Sequence, residues 1–391
     1  MRDKLKLAFL IVVVVILIGA FLGYSAKERG KTPISTSSSN KVPVPTLSVV
    51  YLPSDHHSAL FVMAEYPEKF KEKGIYLKKV VDKEKYELYS DNKKIANIKT
   101  ILAKKGGAEA MTLMTQERSD INLNGVPPTI FFIDKGTRAK IITPLQSEGS
   151  AVVVAKDNPA NNWEEFVSWI RNHKGKEKIG FPLVTSIQKV MLESALKASG
   201  ITYSENPGEN TDVTIIDMKG QGTMLTSLEK KEIDAVIAWQ PTPAIMIEKG
   251  AEKIISFSQD LPPEGMWKNH PCCVLVASEK VLKEKREIVK NFLKLILLST
   301  KLINEEPDLA VKASSKWLGV EEKIEKSSIS TIRFSNEPTE EWYNGVYTFV
   351  REMDKLGKLE GRLKGKETQK EIKNVLFDFN LYQEAKKELG L

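Results

Sequence analysis

The sequence predicts an α/β protein of two lobes behind an N-terminal transmembrane helix. Three observations carry this. Short apolar strands alternate with helical stretches from residue 46 to about 278. These βα units fall into two runs, and a late strand near 273–277 is followed almost wholly by helical patterns. Residues 7 to 26, LAFLIVVVVILIGAFLGYSA, carry no charge.

The elements follow in chain order. About 20 residues at about 1.5 Å each span a bilayer core of about 30 Å. Arg2, Lys4 and Lys6 precede the apolar run and Lys27, Arg29 and Lys31 follow it, so charge alone hardly orients it. Tyr24 is a bulky residue at the −3 position of a cleavage site after Ala26. The segment 1–26 therefore reads as an uncleaved anchor, with a cleaved signal peptide as the alternative. Residues 27–45 are rich in Ser, Thr and Pro and read as an extended linker.

In the body, Leu47 to Leu52 reads as a strand and Ser54 to Lys73 as a helix restarted at Pro67 and stopped at Gly74. Ile75 to Val81 is the next strand. The stretch KEKYELYSDNKKIANIK, from Lys83, reads as an insert. Ala108 to Gln116 is helical, Ile121 to Leu123 a strand, and Pro128 to Lys135 a helix opened by proline. Ile141 to Thr143 and Ala151 to Ala155 are strands. The pattern resumes with a helix from Asn162, strand Lys178 to Phe181, and helix Ser186 to Ser199 closed by Gly200. Strands Val213 to Asp217, Ala235 to Trp239 and Lys253 to Phe257 alternate with helices Thr223 to Lys230 and Thr242 to Lys249. Such alternation predicts parallel-rich sheets. It divides the body into lobe 1 over 46–145, lobe 2 over 146–265, and a return to lobe 1 with C-terminal helices over 266–391.

Composition excludes some classes. The 391 residues allow two or three domains at about 150 residues each. Lys+Arg number 58 against 51 Asp+Glu, a net +7 spread along the chain, which reads as a solvated surface. No zinc-finger spacing, heptad-linked basic region or RNP-like motif is present, so nucleic acid is not an expected partner. No Gly-x-Gly-x-x-Gly follows a strand, and no Walker A motif occurs.

Four segments then resemble the substrate-binding proteins of ABC importers for nitrate, sulfonate, taurine, bicarbonate and thiamine-pyrimidine precursors. They are HHSALFVMAEYPEKFKEKGIYLKKV, ERSDINLNGVPPTIFFIDKG, EGSAVVVAKD and LEKKEIDAVIAWQP, spread in order between residues 56 and 241. The resemblance runs from about 46 to 300. It implies a two-lobed periplasmic-binding-protein-like fold of type II, with ligand held between the lobes and no chemical conversion. It also implies an ABC permease and its ATPase as partners, a monomer, and a globular part on the outer face of the cell membrane.

Candidate ligand residues lie at strand ends and helix starts, where unpaired N–H groups suit anions. Ser54, His56 and His57 follow the first strand; one imidazole would face ligand, the competing reading being a cap and a solvated ring. Asn124 and Gly125 form a strand–turn–helix, or an ordinary turn. Gly149 and Ser150 stand at the first crossover. Thr185 and Ser186 bind an oxyanion or cap their helix. Gln221 precedes a helix, and Trp239 with Gln240 offers an aromatic wall and an amide, or a core ring. No cofactor or metal is expected: adjacent histidines seldom chelate together and no third ligand follows locally. Cys272 and Cys273, the chain's two cysteines, read as one buried thiol and one packing thiol pointing to opposite faces of a strand, with a vicinal disulfide or a metal site as the alternatives. The expected function is capture of a small anion for import. The alternatives are a binder of thiamine-pyrimidine precursors or a pyrimidine-synthesis enzyme on the same scaffold, which would carry iron at the cysteines.

Overall fold

The first apolar run after the linker becomes the interior of a sheet, because its side chains are buried from Val49 to Tyr51 on both faces. The computed structural model describes residues 43–173, 176–250 and 252–391. The expected transmembrane helix lies outside them; among the described residues no helix is long and apolar enough to cross a membrane.

Lobe 1 contributes β1 (Thr46–Tyr51), β2 (Ile75–Val81), β3 (Lys85–Ser90), β4 (Lys93–Leu102), β5 (Ile121–Gly125) and β6 (Ala139–Glu148). Lobe 2 holds β7 (Ser150–Ala155), β8 (Glu177–Phe181), β9 (Tyr203–Ser204), β10 (Val213–Asp217), β11 (Ala235–Trp239) and β12 (Glu252–Phe257). The chain then returns through β13 (Pro271–Ser278) and adds β14 (Ile332–Phe334). The larger sheet has the order β14-β6-β13-β5-β1-β4-β3-β2, and the smaller β12-β7-β11-β8-β10-β9.

Two expectations are corrected here. The larger sheet is mixed, not parallel-rich: only β4 and β5 run parallel to β1, and the remaining pairs are antiparallel. The smaller sheet is parallel through β8–β11 and antiparallel at β7. The stretch read as an insert is a structural hairpin. Asp91 and Asn92 both take left-handed φ, 48° and 60°, which gives a two-residue turn matched to strand twist. The hairpin returns as β4, which lies parallel beside β1 in the middle of the sheet.

The lobes meet at two adjacent crossings. One is Glu148–Gly149, with φ of 65° and 83°. The other is His270–Pro271, whose His270 carbonyl accepts from the Glu148 N–H at 3.2 Å. The Glu148 carboxylate accepts from Asn269 N–H at 3.0 Å and Arg333 Nε at 3.1 Å, which ties both crossings to the C-terminal part.

The C-terminal helices brace both lobes. Helix Glu340–Lys355 packs on helix Val126–Asp134 of lobe 1 and helix Ile187–Ala198 of lobe 2. Helix Glu322–Ile329 packs on helix Thr242–Lys249 of lobe 2. The buried Asp134 carboxylate receives the N–H groups of Glu360, Gly361 and Leu363 at 3.0, 2.9 and 2.7 Å, pinning the chain after Lys355.

Candidate functional site

Strand β1 ends at Tyr51, and its continuation turns into a short 3₁₀ helix, Asp55–His57, capped by Ser54. Sequence had joined this to the following helix. Three pieces form instead: the 3₁₀ turn, the α-helix Ser58–Glu65 and, after the expected restart at Pro67, the short helix Glu68–Lys71. The short helix buries Asp55, His56 and His57 together. Adjacent residues on such a turn point in different directions, so the two imidazoles have different environments.

His57 lines an interlobe cavity. Its Nδ1 accepts from the Leu52 N–H at 3.0 Å. The neutral ring therefore carries its proton on Nε2. That Nε2–H is buried and has no partner among the described residues. Burial and the neighbouring His56 charge push the His57 pKa down to about 3, so the ring stays neutral at ordinary pH. Trp239 at the end of β11 lines the same cavity, and its Nε1–H is likewise buried without a partner.

His56 is held differently. Its Nε2 stands 3.0 Å from the Gly149 carbonyl, which can only accept, so Nε2 carries a proton. Nδ1 then faces two sulfurs, Cys272 Sγ at 3.3 Å and Cys273 Sγ at 3.9 Å. Burial opposes charge on this imidazole, but the adjacent Cys272 outweighs it and the pKa rises. Burial also opposes a Cys272 thiolate, but hydrogen bonds from Cys273 and the His56 charge hold its pKa well below the ordinary value. Cys273, donating to Cys272, is pushed up.

The expectation that the two cysteines face apart is corrected. β13 slips register against β6 between Pro271 and Cys273 and again between Cys273 and Val274. Such irregularities re-aim side chains, and both sulfurs come within 4.8 Å of His56 Nδ1 and of each other. Both cysteines are buried and unpaired as a disulfide.

The cavity offers about 40 Å³ to the centre of a water molecule. At roughly 10–15 Å³ per water, this is space for a solute of a few heavy atoms. Leu52, Pro128, Leu183 and Ile187 make its walls largely apolar, and among the described residues neither Lys nor Arg lines it. Of the residues singled out in the sequence, Ser54, His56, His57, Gly125, Thr185, Ser186 and Trp239 line it.

The other five lie behind this wall. Asn124 Nδ2 donates to Thr129 Oγ1 at 3.1 Å. Gly149 offers its carbonyl to His56 and to the Gln240 N–H. Ser150 Oγ accepts from Gln188 Nε2 at 2.8 Å. The Gln221 amide clamps Trp239, accepting from its N–H at 2.7 Å and donating to its carbonyl at 3.1 Å. Gln240 spans from Thr331 Oγ1 to the Ala244 N–H. Pro127 and Pro128 also remove two N–H donors from the helix start that was expected to face ligand. The donor-bearing helix start at the cavity is Ile187–Ala198, where Ser186 Oγ caps the Lys189 N–H at 3.2 Å.

Sequence reasoning missed the cysteines as lining residues, with Leu52, Gly107, Pro128, Leu183, Ile187 and Gln188. The cysteines' place directly after the return crossing was the one signal available.

The two-lobed α/β body with an interlobe cavity is a periplasmic-binding-protein fold. The sequence profile of the NMT1-like family matches residues 40–318, and the chain belongs to that family. An uncharacterized protein of Methanocaldococcus jannaschii is 58% identical over 106 residues, 27% of this chain and 73% of that protein. The fold is similar to the ligand-binding component of an ABC-type import system from Staphylococcus aureus solved with zinc bound, at TM-score 0.66 and 16% identity over 87% of this chain and 99% of that one. It is similar to the periplasmic nitrate-binding protein of Synechocystis PCC 6803, at TM-score 0.66 and 12% identity over 89% of each. The periplasmic aliphatic sulphonate-binding protein of Escherichia coli follows at TM-score 0.60 and 13% identity, over 83% of this chain and 95% of that one.

Proposed function

We propose that this protein is the extracytoplasmic substrate-binding protein of an ABC importer, tethered outside the cell membrane by its N-terminal segment and delivering a small oxyanion-type solute to a permease. Two buried ring N–H groups without partners, His57 Nε2 and Trp239 Nε1, carry this reading. A buried donor left unmade costs about 1–3 kcal/mol, so the cavity favours a solute that brings acceptor oxygens. The helix start at Ile187 adds partial positive charge. The small volume favours nitrate or bicarbonate over taurine, aryl sulfonates or an aminopyrimidine.

Contacts across the lobes support a closed, binding-competent form. Ser54 Oγ donates to the Gln240 carbonyl at 3.0 Å, and His56 reaches Gly149. A permease that recognises both lobes around the cleft would select this form.

Thermal unfolding with nitrate, bicarbonate, taurine, sulfonates and pyrimidine precursors tests the proposal. A solute at 100 times its dissociation constant should add about 2.7 kcal/mol. Trp239→Phe and His57→Phe should each weaken that solute about tenfold to a hundredfold. Stabilisation by none of the anions, or unchanged affinity in both variants, would overturn the reading. Stabilisation by a pyrimidine alone would favour the thiamine-related alternative.

A further inference from the structure

We propose that His56 Nδ1, Cys272 Sγ and Cys273 Sγ form a site for a thiophilic transition-metal cation on the wall of the interlobe cavity, with one coordination position open to the solute. All three donor atoms lie within 4.8 Å of one another, and all three residues line the cavity. Metal–sulfur bonds of about 2.3 Å and metal–nitrogen bonds of about 2.0–2.1 Å in a tetrahedron separate donors by roughly 3.5–3.8 Å. The Sγ–Nδ1 distances of 3.3 and 3.9 Å bracket that range.

The imidazole is oriented for this task. Its Nε2–H donates to the Gly149 carbonyl, so the lone pair of Nδ1 in the neutral ring faces the two sulfurs. A ligating histidine ordinarily has its far N–H fixed in this way. The register slips of β13 bring both sulfurs to the same side, where a regular strand would present only one.

Charge decides the class of cation. Two thiolates and one neutral imidazole around a divalent ion sum to zero, which an apolar, buried wall tolerates. Two sulfurs and one nitrogen select zinc-like or softer cations over magnesium or calcium. Binding releases two protons from the cluster to solvent. Three protein ligands leave the fourth position of a tetrahedron for an oxygen of the solute; this last point rests on the solute reading above, the cation site itself does not.

The test uses the full chain, reduced and stripped of metal with a chelator, and titrated with Zn²⁺ and separately with Co²⁺. One Zn²⁺ per chain should bind, and Co²⁺ should give a thiolate-to-metal charge-transfer band. Cys272→Ser and Cys273→Ser should each weaken Zn²⁺ by more than the roughly 10–100-fold typical of losing a residue that only orients a ligand. His173→Ala, at an exposed histidine away from the cavity, should not. Absence of the charge-transfer band in the unmutated chain, or stoichiometric Zn²⁺ that survives both serine variants, would overturn the site without depending on how the variants fold. The anion panel is run on metal-free and Zn²⁺-loaded protein. Zinc without any anion response removes the solute reading alone, and an anion response without zinc binding removes the metal site alone.

Discussion

Gly149→Ala should cost the folded protein about 3 kcal/mol and remove solute capture. Gly149 sits at the crossing between the lobes with φ of +83°. A Cβ there would lie 2.5 Å from His56 Nε2 and 2.9 Å from Ile332 Cγ1. Left-handed φ alone costs a non-glycine residue about 1–2 kcal/mol. Displacing a packed ring adds about 1–3 kcal/mol. The displaced ring is the one that bonds the Gly149 carbonyl and faces both sulfurs, so the cavity wall loses its geometry with it. Gly319→Ala separates the two contributions, because Gly319 has φ of +75° with nothing within 4 Å of the added Cβ. It should lose about 1 kcal/mol and bind solute normally. Urea unfolding and solute titration of both variants read the difference. Equal losses in the two would mean that the close approach of His56 to the crossing does not matter.

Glu325→Gln should stabilise the protein by about 3 kcal/mol at pH 8 and by almost nothing at pH 4.5. Glu325 is buried in the C-terminal part and its carboxyl meets that of Asp55, next to His56. Burial first, then the Asp55 charge, raises the Glu325 pKa to about 10. Asp55 is raised as well, chiefly by burial, and accepts from the Ser328 hydroxyl. The pair therefore keeps a proton that the unfolded chain gives up above about pH 4.5. Stability from a raised pKa is whole below the unfolded value and is lost as pH rises towards the folded one. Glutamine has no proton to lose and can still donate to Asp55. Denaturant midpoints from pH 4.5 to 9 measure the effect. A gain independent of pH, or a loss at pH 8, would show that the two carboxyls do not share a proton.

Much of the fold was legible locally. The strand patterns of β8, β10 and β11 and the amphipathic helices Trp163–Asn172 and Arg286–Glu305 follow from side-chain periodicity, which a window of about 11–18 residues reveals. Ser186 and Gly200 bounded their helix because caps are chemical and local. The position of His56 and His57 after a strand also pointed to the cavity.

What was not legible depended on pairing. The hairpin from Lys85 to Leu102 read as an insert because nothing within it shows that β4 lies against β1. The five candidates behind the cavity wall were placed at a strand end, at the first crossover or before a helix, but whether an amide faces solute or a neighbouring backbone depends on elements distant in sequence. Gln221, clamped on Trp239, is an example.

The sequence alone thus determined the α/β alternation, the return of the chain within 260–275 and the polar residues at strand ends and helix starts, because each is written in local periodicity and capping chemistry. Only the tertiary structure decided that Cys272 and His56, 216 residues apart, meet at one cavity. The register of β13 turns both thiols inward, and register is a property of two strands together, which no stretch of one strand contains.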